Sequence, residues 1–243
     1  VDWRNKKVIA FDLGYTLVTN DRAKLHQRYL QSQGIDTDIR SIEMAYHVVD
    51  KEFMRIYPKV ISTGWNQYFP WFVGRVNYEL KHCFNLIEQT EFMSNEVVSN
   101  AETDLFWKPF PWTVEVLEQL KHKGYRIALL SNWDSSARSI LAKLGLDSLF
   151  EVIVISDEVG CEKPEAIIFE ELLRQLNCTA KEVLYVGDNY YDDVPGAQSV
   201  GMETIVLNPY NKAGMEELSY EPILSDIRSL LEYVPNRNEP ARV

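Results

Sequence analysis

Five short runs built from Val, Ile, Leu and Ala, each leading into a polar residue, set the terms for this chain: KVIAFD (7–12), RIALLS (126–131), EVIVIS (151–156), VLYVGD (183–188) and ETIVLN (203–208). None alternates apolar with polar residues over its length. Each therefore predicts a strand covered on both faces, the condition inside a parallel sheet flanked by helices. Helical spacings accompany the last four runs. Val116, Leu117 and Leu120 mark one, Ile140, Leu141 and Leu144 another, and Phe169, Leu172, Leu173 and Leu176 a third at i, i+3, i+4, i+7. Strand alternating with helix predicts an α/β domain with a doubly wound, mostly parallel sheet. A last apolar set, Ile223, Leu224, Ile227, Leu230 and Leu231, predicts a closing helix packed on that sheet, and PNRNEPARV (235–243) a frayed tail.

The interval between the first and second runs breaks this rhythm. Residues 18 to about 108 carry helical stretches such as RAKLHQRYLQSQ and SIEMAYHVVDKEFMRIY and no convincing strand. A crossover connection does not need that length, so the interval predicts an inserted helical domain, 18–107, within a core domain formed by 1–17 and 108–243. KPFPW (108–112) marks the return to the core. The insert is aromatic-rich, with Trp65, Tyr68, Phe69, Trp71, Phe72 and Tyr78 in WNQYFPWFVGRVNY. These residues serve either the insert's own core or a cap surface that excludes water from a site below.

Composition narrows the function classes. The 243 residues are 46% hydrophobic with a net charge of −11, a folded chain that nonspecific attraction would not hold to nucleic acid or an anionic membrane. An anionic ligand would need a local positive site working against that charge. Cys83, Cys161 and Cys178 are few and widely spaced, which argues against a disulfide framework or structural zinc and fits a reducing cytoplasm. No apolar run approaches the roughly 20 residues of a membrane span, and VDWRNKK lacks a signal-peptide apolar region.

The polar residues at the run ends carry the chemistry. In open α/β sheets, sites form beyond the carboxyl ends of the strands. The first run ends in Asp12 and the second in Ser131-Asn132. The third leads through SDEVGCEKP to Lys163, and the fourth into GDNYYDD with Asp188, Asp192 and Asp193. Any one alone reads as a helix cap, a turn or a solvated surface residue. Together, in order along an α/β frame, they read as one site. Several carboxylates near one point repel unless a cation lies between them, and hard oxygen donors with few imidazoles favour Mg²⁺. A metal, a lysine and a hydroxyl would hold a phosphoryl group against a carboxylate nucleophile.

The segments FDLGYTL, PFPWTVEVLEQLKHKGYRIALLSN, SDEVGCEKPEAIIFEELL and VGDNYYDDVPGAQSVGMETIVLN together resemble the haloacid dehalogenase superfamily, in its branch with a helical cap between the first two motifs. The resemblance implies a Rossmann-like core with an inserted α-helical cap domain. It implies Asp12 as a nucleophile that becomes an aspartyl-phosphate, and Ser131 as a catalytic and binding hydroxyl followed by Asn132 beside the substrate. It implies Lys163 as the lysine that stabilises nucleophile and phosphoryl charge. Mg²⁺ would be held by Asp12, the backbone carbonyl of Gly14 and Asp188, with Asp193 as a further ligand or support and Asp192 as its adjacent competitor. The implied substrate is a small phosphorylated molecule.

One position departs from that pattern. The family's phosphatases carry Asp-x-Asp-Gly-Thr, and this chain has Asp12, Leu13, Gly14, Tyr15, Thr16. The second Asp, which in the family protonates the leaving oxygen and then activates water, is Gly14. Such general acid–base groups contribute about 10²–10⁴-fold. Three readings follow: a weak or altered Mg²⁺-dependent phosphatase, a 2-haloacid dehalogenase, whose halide needs no proton, and a non-catalytic protein that binds a phosphoryl ligand. Substrate choice would rest with cap residues, for which Arg22, Arg28, Trp65, Tyr68 and Arg75 are candidates.

Overall fold

The computed structural model describes residues 1–60, 65–101 and 106–238. Along the chain, β1 (Val8–Phe11) is followed by β2 (Val18–Asn20) and by four helices, α1 (Arg22–Ser32), α2 (Ile39–Ile56), α3 (Trp65–Glu79) and α4 (Leu86–Ala101). Then come β3 (Trp107–Pro109), α5 (Thr113–His122), β4 (Arg126–Ser131), α6 (Ala137–Lys143), β5 (Val152–Ile155), α7 (Ser156–Val159) and α8 (Ala166–Leu176). The chain continues through β6 (Val183–Gly187), α9 (Tyr190–Ser199), β7 (Glu203–Leu207), β8 (Ile223–Leu224) and α10 (Leu230–Tyr233). It divides into two compact units. One comprises Val1–Thr19, Pro109–Lys212 and Glu217–Val243, the other Asn20–Lys108 and Ala213–Glu216.

The first unit is a six-stranded sheet in the order β5-β4-β1-β6-β7-β8, with every pair parallel. The order reverses at β1, where the chain builds first toward β4 and β5 and then toward β6, β7 and β8. This is the switch point at which open α/β sheets leave a crevice beyond their carboxyl ends. Phe11 is level with Leu129 on one side and Val186 on the other, so Asp12 leaves the sheet at that crevice.

Helix α8 shows why the frame closes. Ile168, Phe169, Leu172 and Leu176 fall on one face and pack with Val8, Ala10, Ala128, Leu130, Val154, Val183 and Tyr185 in a single buried cluster. Each fully buried side chain of this size contributes roughly 1.5–3 kcal/mol. Gly160, at φ 78°, ends α7 in the left-handed conformation, which glycine adopts without steric cost.

The carboxyl-terminal segment differs from its expected helix. Ile223 and Leu224 are an edge strand paired with Val206 and Leu207. Pro222 has no N–H to give a helix. Asp226 accepts a hydrogen bond from the Arg228 N–H at 2.9 Å, so the helical turns restart only after it. The apolar spacing was real, but it is divided between a strand and a single turn of helix. The expected frayed tail is tied down where described: the Arg237 N–H donates to Lys123 O at 2.9 Å and Asn238 Nδ2 to His122 O at 2.7 Å. Residues 239–243 lie outside the described residues. The interval expected to lack strands also contains β2 and β3, which pair with each other. At three residues each they are too short to leave a periodic signal.

The second unit is built on α1 to α4. Leu25, Leu30, Ile42, Tyr46, Val49, Phe53, Phe69, Phe72, Val73, Val76 and Met93 form its buried core. The aromatic run is split by the helical period. Phe69 and Phe72 point inward, whereas Trp71 and Tyr78 are 63% and 74% exposed, and the Trp65 side chain lies outside the described residues. A polar chain also crosses this core. His26 Nδ1 lies 3.1 Å from Tyr46 Oη and His26 Nε2 lies 3.2 Å from Gln89 Nε2. Asn77 Nδ2 donates to Gln89 Oε1 at 2.6 Å. The Gln89 amide nitrogen can only donate, so His26 Nε2 is the acceptor and His26 Nδ1 carries the proton. Burial holds His26 down at a pKa of about 4.

Candidate active site

The loop after β1 is a tight turn. The N–H groups of Leu17 and Val18 both donate to Leu13 O, at 2.9 and 3.1 Å, and the Tyr15 N–H donates to Val18 O at 2.7 Å. Tyr15 takes φ 54°, a left-handed conformation that costs an L-residue with a side chain roughly 1–2 kcal/mol. The turn leaves Asp12 only 7% exposed at the end of the central strand.

Two groups converge on one oxygen of Asp12. Ser131 Oγ, at the end of β4, donates to Oδ1 at 3.2 Å. Lys163 Nζ donates to the same Oδ1 at 2.8 Å, and also to Asp193 Oδ1 at 2.7 Å and Tyr185 Oη at 3.0 Å. The other Asp12 oxygen, Oδ2, has the Thr16 hydroxyl at 3.5 Å. Asp193 uses its second oxygen as well, accepting from the Asn189 N–H at 3.0 Å. Lys163 is thus an ammonium with three fixed acceptors, 4% exposed.

The electrostatics follow from this packing. Burial and the neighbouring Asp193 and Asp188 push the Asp12 carboxyl up to about 6, against the pull of Lys163. Burial disfavours the Lys163 ammonium, but Asp12 and Asp193 outweigh it and hold the group protonated well above its ordinary range. Burial likewise pushes Asp192 up to about 7, with Lys163 lowering it and Asp193, Asp12 and Asp188 raising it. One lysine therefore faces four carboxylates within electrostatic reach.

That excess of hard anionic donors fits a divalent cation of the Mg²⁺ kind. Among the described residues no group of three or more His, Cys, Asp or Glu side chains forms a ready-made metal cage. Mg²⁺ ordinarily takes one or two carboxylates and fills its remaining positions with water and substrate oxygens, and Asp12 and Asp188 are the two carboxylates that could serve.

The expected site residues do not all face the same way. Asn132 was expected beside the substrate, but both ends of its amide are bound to the Lys163 backbone. Its Oδ1 accepts from the Lys163 N–H at 2.8 Å and its Nδ2 donates to Lys163 O at 3.1 Å. The arginines considered for substrate contact have ion-pair partners in the helical unit: Arg22 with Asp50, Arg28 with Glu96 at 2.8 Å and Arg75 with Glu52 at 2.8 Å. Tyr68 packs edge-on against Phe72, with ring centroids 6.3 Å apart.

Three residues escaped the sequence reading. Tyr185 looks like strand filling in VLYVG, yet its hydroxyl accepts from Lys163 and donates to Leu130 O at 3.0 Å. A phenol in an otherwise aliphatic buried strand is the signal, since a buried hydroxyl needs a partner. Gly187 gives Asp193 its place: a Cβ there would stand 2.0 Å from Asp193 Oδ2. Trp133 lies beside Gly14. A Cβ on Gly14 would have Trp133 Cζ3 as its nearest neighbour, at 3.6 Å.

Among the described residues no helix is long and apolar enough to cross a membrane. Glyceraldehyde 3-phosphate phosphatase of Pyrococcus abyssi is 30% identical over 203 residues, 82% of this chain and 80% of that protein. The enzyme of the same name from Methanothermobacter thermautotrophicus is 40% identical over 107 residues, a stretch spanning 45% of its length. A crystal structure of a HAD phosphatase from Thermococcus onnurineus superposes with a TM-score of 0.58 at 22% identity, covering 95% of this chain and 98% of that one, and shares the fold. A family model described as haloacid dehalogenase-like hydrolase matches residues 6–201, and the chain belongs to the haloacid dehalogenase-like hydrolases.

Proposed function

We propose that this protein is a Mg²⁺-dependent phosphatase that releases phosphate from a small phosphorylated molecule through a covalent intermediate on Asp12. The observation that carries this reading is the asymmetric use of the Asp12 carboxylate. Oδ1 is held by Lys163 and Ser131 at 2.8 and 3.2 Å, while among the described residues Oδ2 has only the long Thr16 contact and is the oxygen left to attack. Oδ2 forms a bond to phosphorus as the bond to the leaving oxygen breaks, and the leaving group departs with the electron pair. Water then attacks the aspartyl-phosphate, its oxygen bonds to phosphorus, the Asp12–phosphorus bond breaks, and the proton passes to solvent. Lys163 and Ser131 hold the oxygens of the transferring group and offset its charge. Asp193, Tyr185 and Asn132 position Lys163.

Asp12, Asp188 and the Gly14 carbonyl would hold Mg²⁺, which when bound neutralises phosphoryl charge. Gly14 has no side chain with which to protonate the leaving oxygen, so weakly basic leaving groups should react best. The glyceraldehyde 3-phosphate phosphatases among its relatives support a phosphate monoester as substrate. The 2-haloacid reading is weaker, because halide displacement has no use for the carboxylate excess around Lys163.

The deciving measurement is phosphate release from p-nitrophenyl phosphate and from a panel of metabolite esters, with and without Mg²⁺, beside a 2-haloacid control. Release should require Mg²⁺ and vanish in Asp12→Asn. An Asp12→Asn protein as fast as wild type would refute the nucleophile, and chelator-insensitive halide release would replace the reaction.

A further inference from the structure

The geometry points to Trp133 as the platform for the leaving group, and to phosphate esters of flat-ring alcohols, phenols and their heteroaromatic counterparts, as the preferred substrate class. This inference rests on the phosphatase reading and specifies its substrate.

The space vacated at Gly14 is bounded by an indole. Trp133 Cζ3, on the six-membered ring, is the nearest atom to the missing Cβ, at 3.6 Å, the distance of ordinary van der Waals contact. Trp133 is half-buried and its position is fixed. Its Nε1–H donates to Ser136 Oγ at 3.2 Å. Its backbone N–H donates to Ser156 Oγ at 3.0 Å, and its carbonyl accepts from the same hydroxyl at 3.1 Å. The residue therefore does not need to be ordered when a ligand arrives, which removes part of the entropic cost of binding. It also lies two residues beyond Ser131, whose hydroxyl is bonded to Asp12, so ring and nucleophile follow the ends of the neighbouring parallel strands β4 and β1.

Two chemical demands meet here. Without a proton donor at Gly14, the departing oxygen must be a weak base. A phenol, with a pKa near 10 as in tyrosine, leaves far more readily than an alkyl alcohol. A flat ring attached to that oxygen is also what an indole binds best, by offset or edge-on contact.

The test compares p-nitrophenyl phosphate with acetyl phosphate, whose leaving group is a still weaker base and carries no ring, in wild type, Trp133→Ala and Trp133→Phe. Trp133→Ala should raise KM for the ring ester relative to acetyl phosphate by about tenfold, the scale of one aromatic pair, and Trp133→Phe should recover most of it. In wild type, benzylphosphonate should inhibit about tenfold better than ethylphosphonate, a comparison independent of whether the variants fold. Equal inhibition by the two phosphonates, or a KM ratio unmoved by Trp133→Ala, overturns the platform. If neither ester yields Asp12-dependent phosphate, the phosphatase reading falls, and the ring preference as a substrate rule falls with it.

Discussion

Acidification should loosen the helical unit through one residue, His26. Its neutral ring accepts at Nε2 from Gln89 and faces Tyr46 Oη at Nδ1, 3.2 and 3.1 Å away. A second proton would set two N–H donors against each other in a place with no exposed surface. Burial accordingly holds the pKa at about 4, below the 6.5 of a free histidine. The unfolded segment thus binds a proton that the folded one refuses. The stability due to neutral His26 is complete above about pH 6.5 and is lost as pH falls toward 4. The difference between the folded and unfolded segment is worth about 3 kcal/mol in full, most of it lost by pH 4.5.

Hydrogen exchange of peptides from α1, α2 and α4, corrected for intrinsic rates, reads this unit separately from the sheet. Between pH 7 and 4.5 the wild type should lose roughly 2–3 kcal/mol more opening free energy than His26→Gln, whose side chain stays neutral throughout. Equal losses in both proteins, or an NMR titration placing His26 near 6.5, would refute the argument.

Gly14 tests the missing acid. Its φ is not in the left-handed region and a Cβ meets nothing closer than 3.6 Å, so Gly14→Ala should stabilise the fold by about 0.4–1 kcal/mol in urea titrations. Gly14→Asp should raise turnover of alkyl phosphates by about 10²-fold or more, and an intact variant with no gain would show that the loop cannot aim a carboxylate. Gly187→Ala puts a methyl 2.0 Å from Asp193 Oδ2; thermal unfolding should register a loss of about 1–3 kcal/mol, with activity falling as Lys163 loses its support. Lys163→Met leaves two buried carboxylates without their shared cation, and denaturant unfolding at pH 7 should show a loss of about 3–5 kcal/mol.

The frame was legible because buried parallel strands announce themselves as unbroken apolar runs, and the site because its polar residues interrupt those runs at their ends. Asp12, Ser131 and Lys163 needed only the strand order to be brought together. Tyr185 was hidden because an aromatic residue inside a strand reads as core until its hydroxyl is traced. The two bonds from the Asn132 amide to the Lys163 backbone were hidden because a sequence carries the address of an amide but not its orientation. The segment 223–231 failed for a different reason. Its apolar spacing suits one helix, but Pro222 and the Asp226 cap divide it into a strand and a turn. That Ala213–Glu216 joins the helical unit is a long-range packing choice that no local pattern records.

The bonds that hold Lys163 also impose an order of events on folding. Asp12 and Lys163 are 151 residues apart in sequence and Asp12 and Ser131 are 119 apart, while Lys163 and Asp193 are separated by 30. During synthesis Asp12 emerges early and waits for its counter-charge until most of the protein has been made. The last acceptor, Asp193, arrives later still. Loops of that length close slowly and at an entropic cost that only the completed sheet offsets. The pocket around Asp12 is therefore completed only at the end of folding, and a truncated or half-assembled copy holds Asp12 without the ammonium and hydroxyl that bind it.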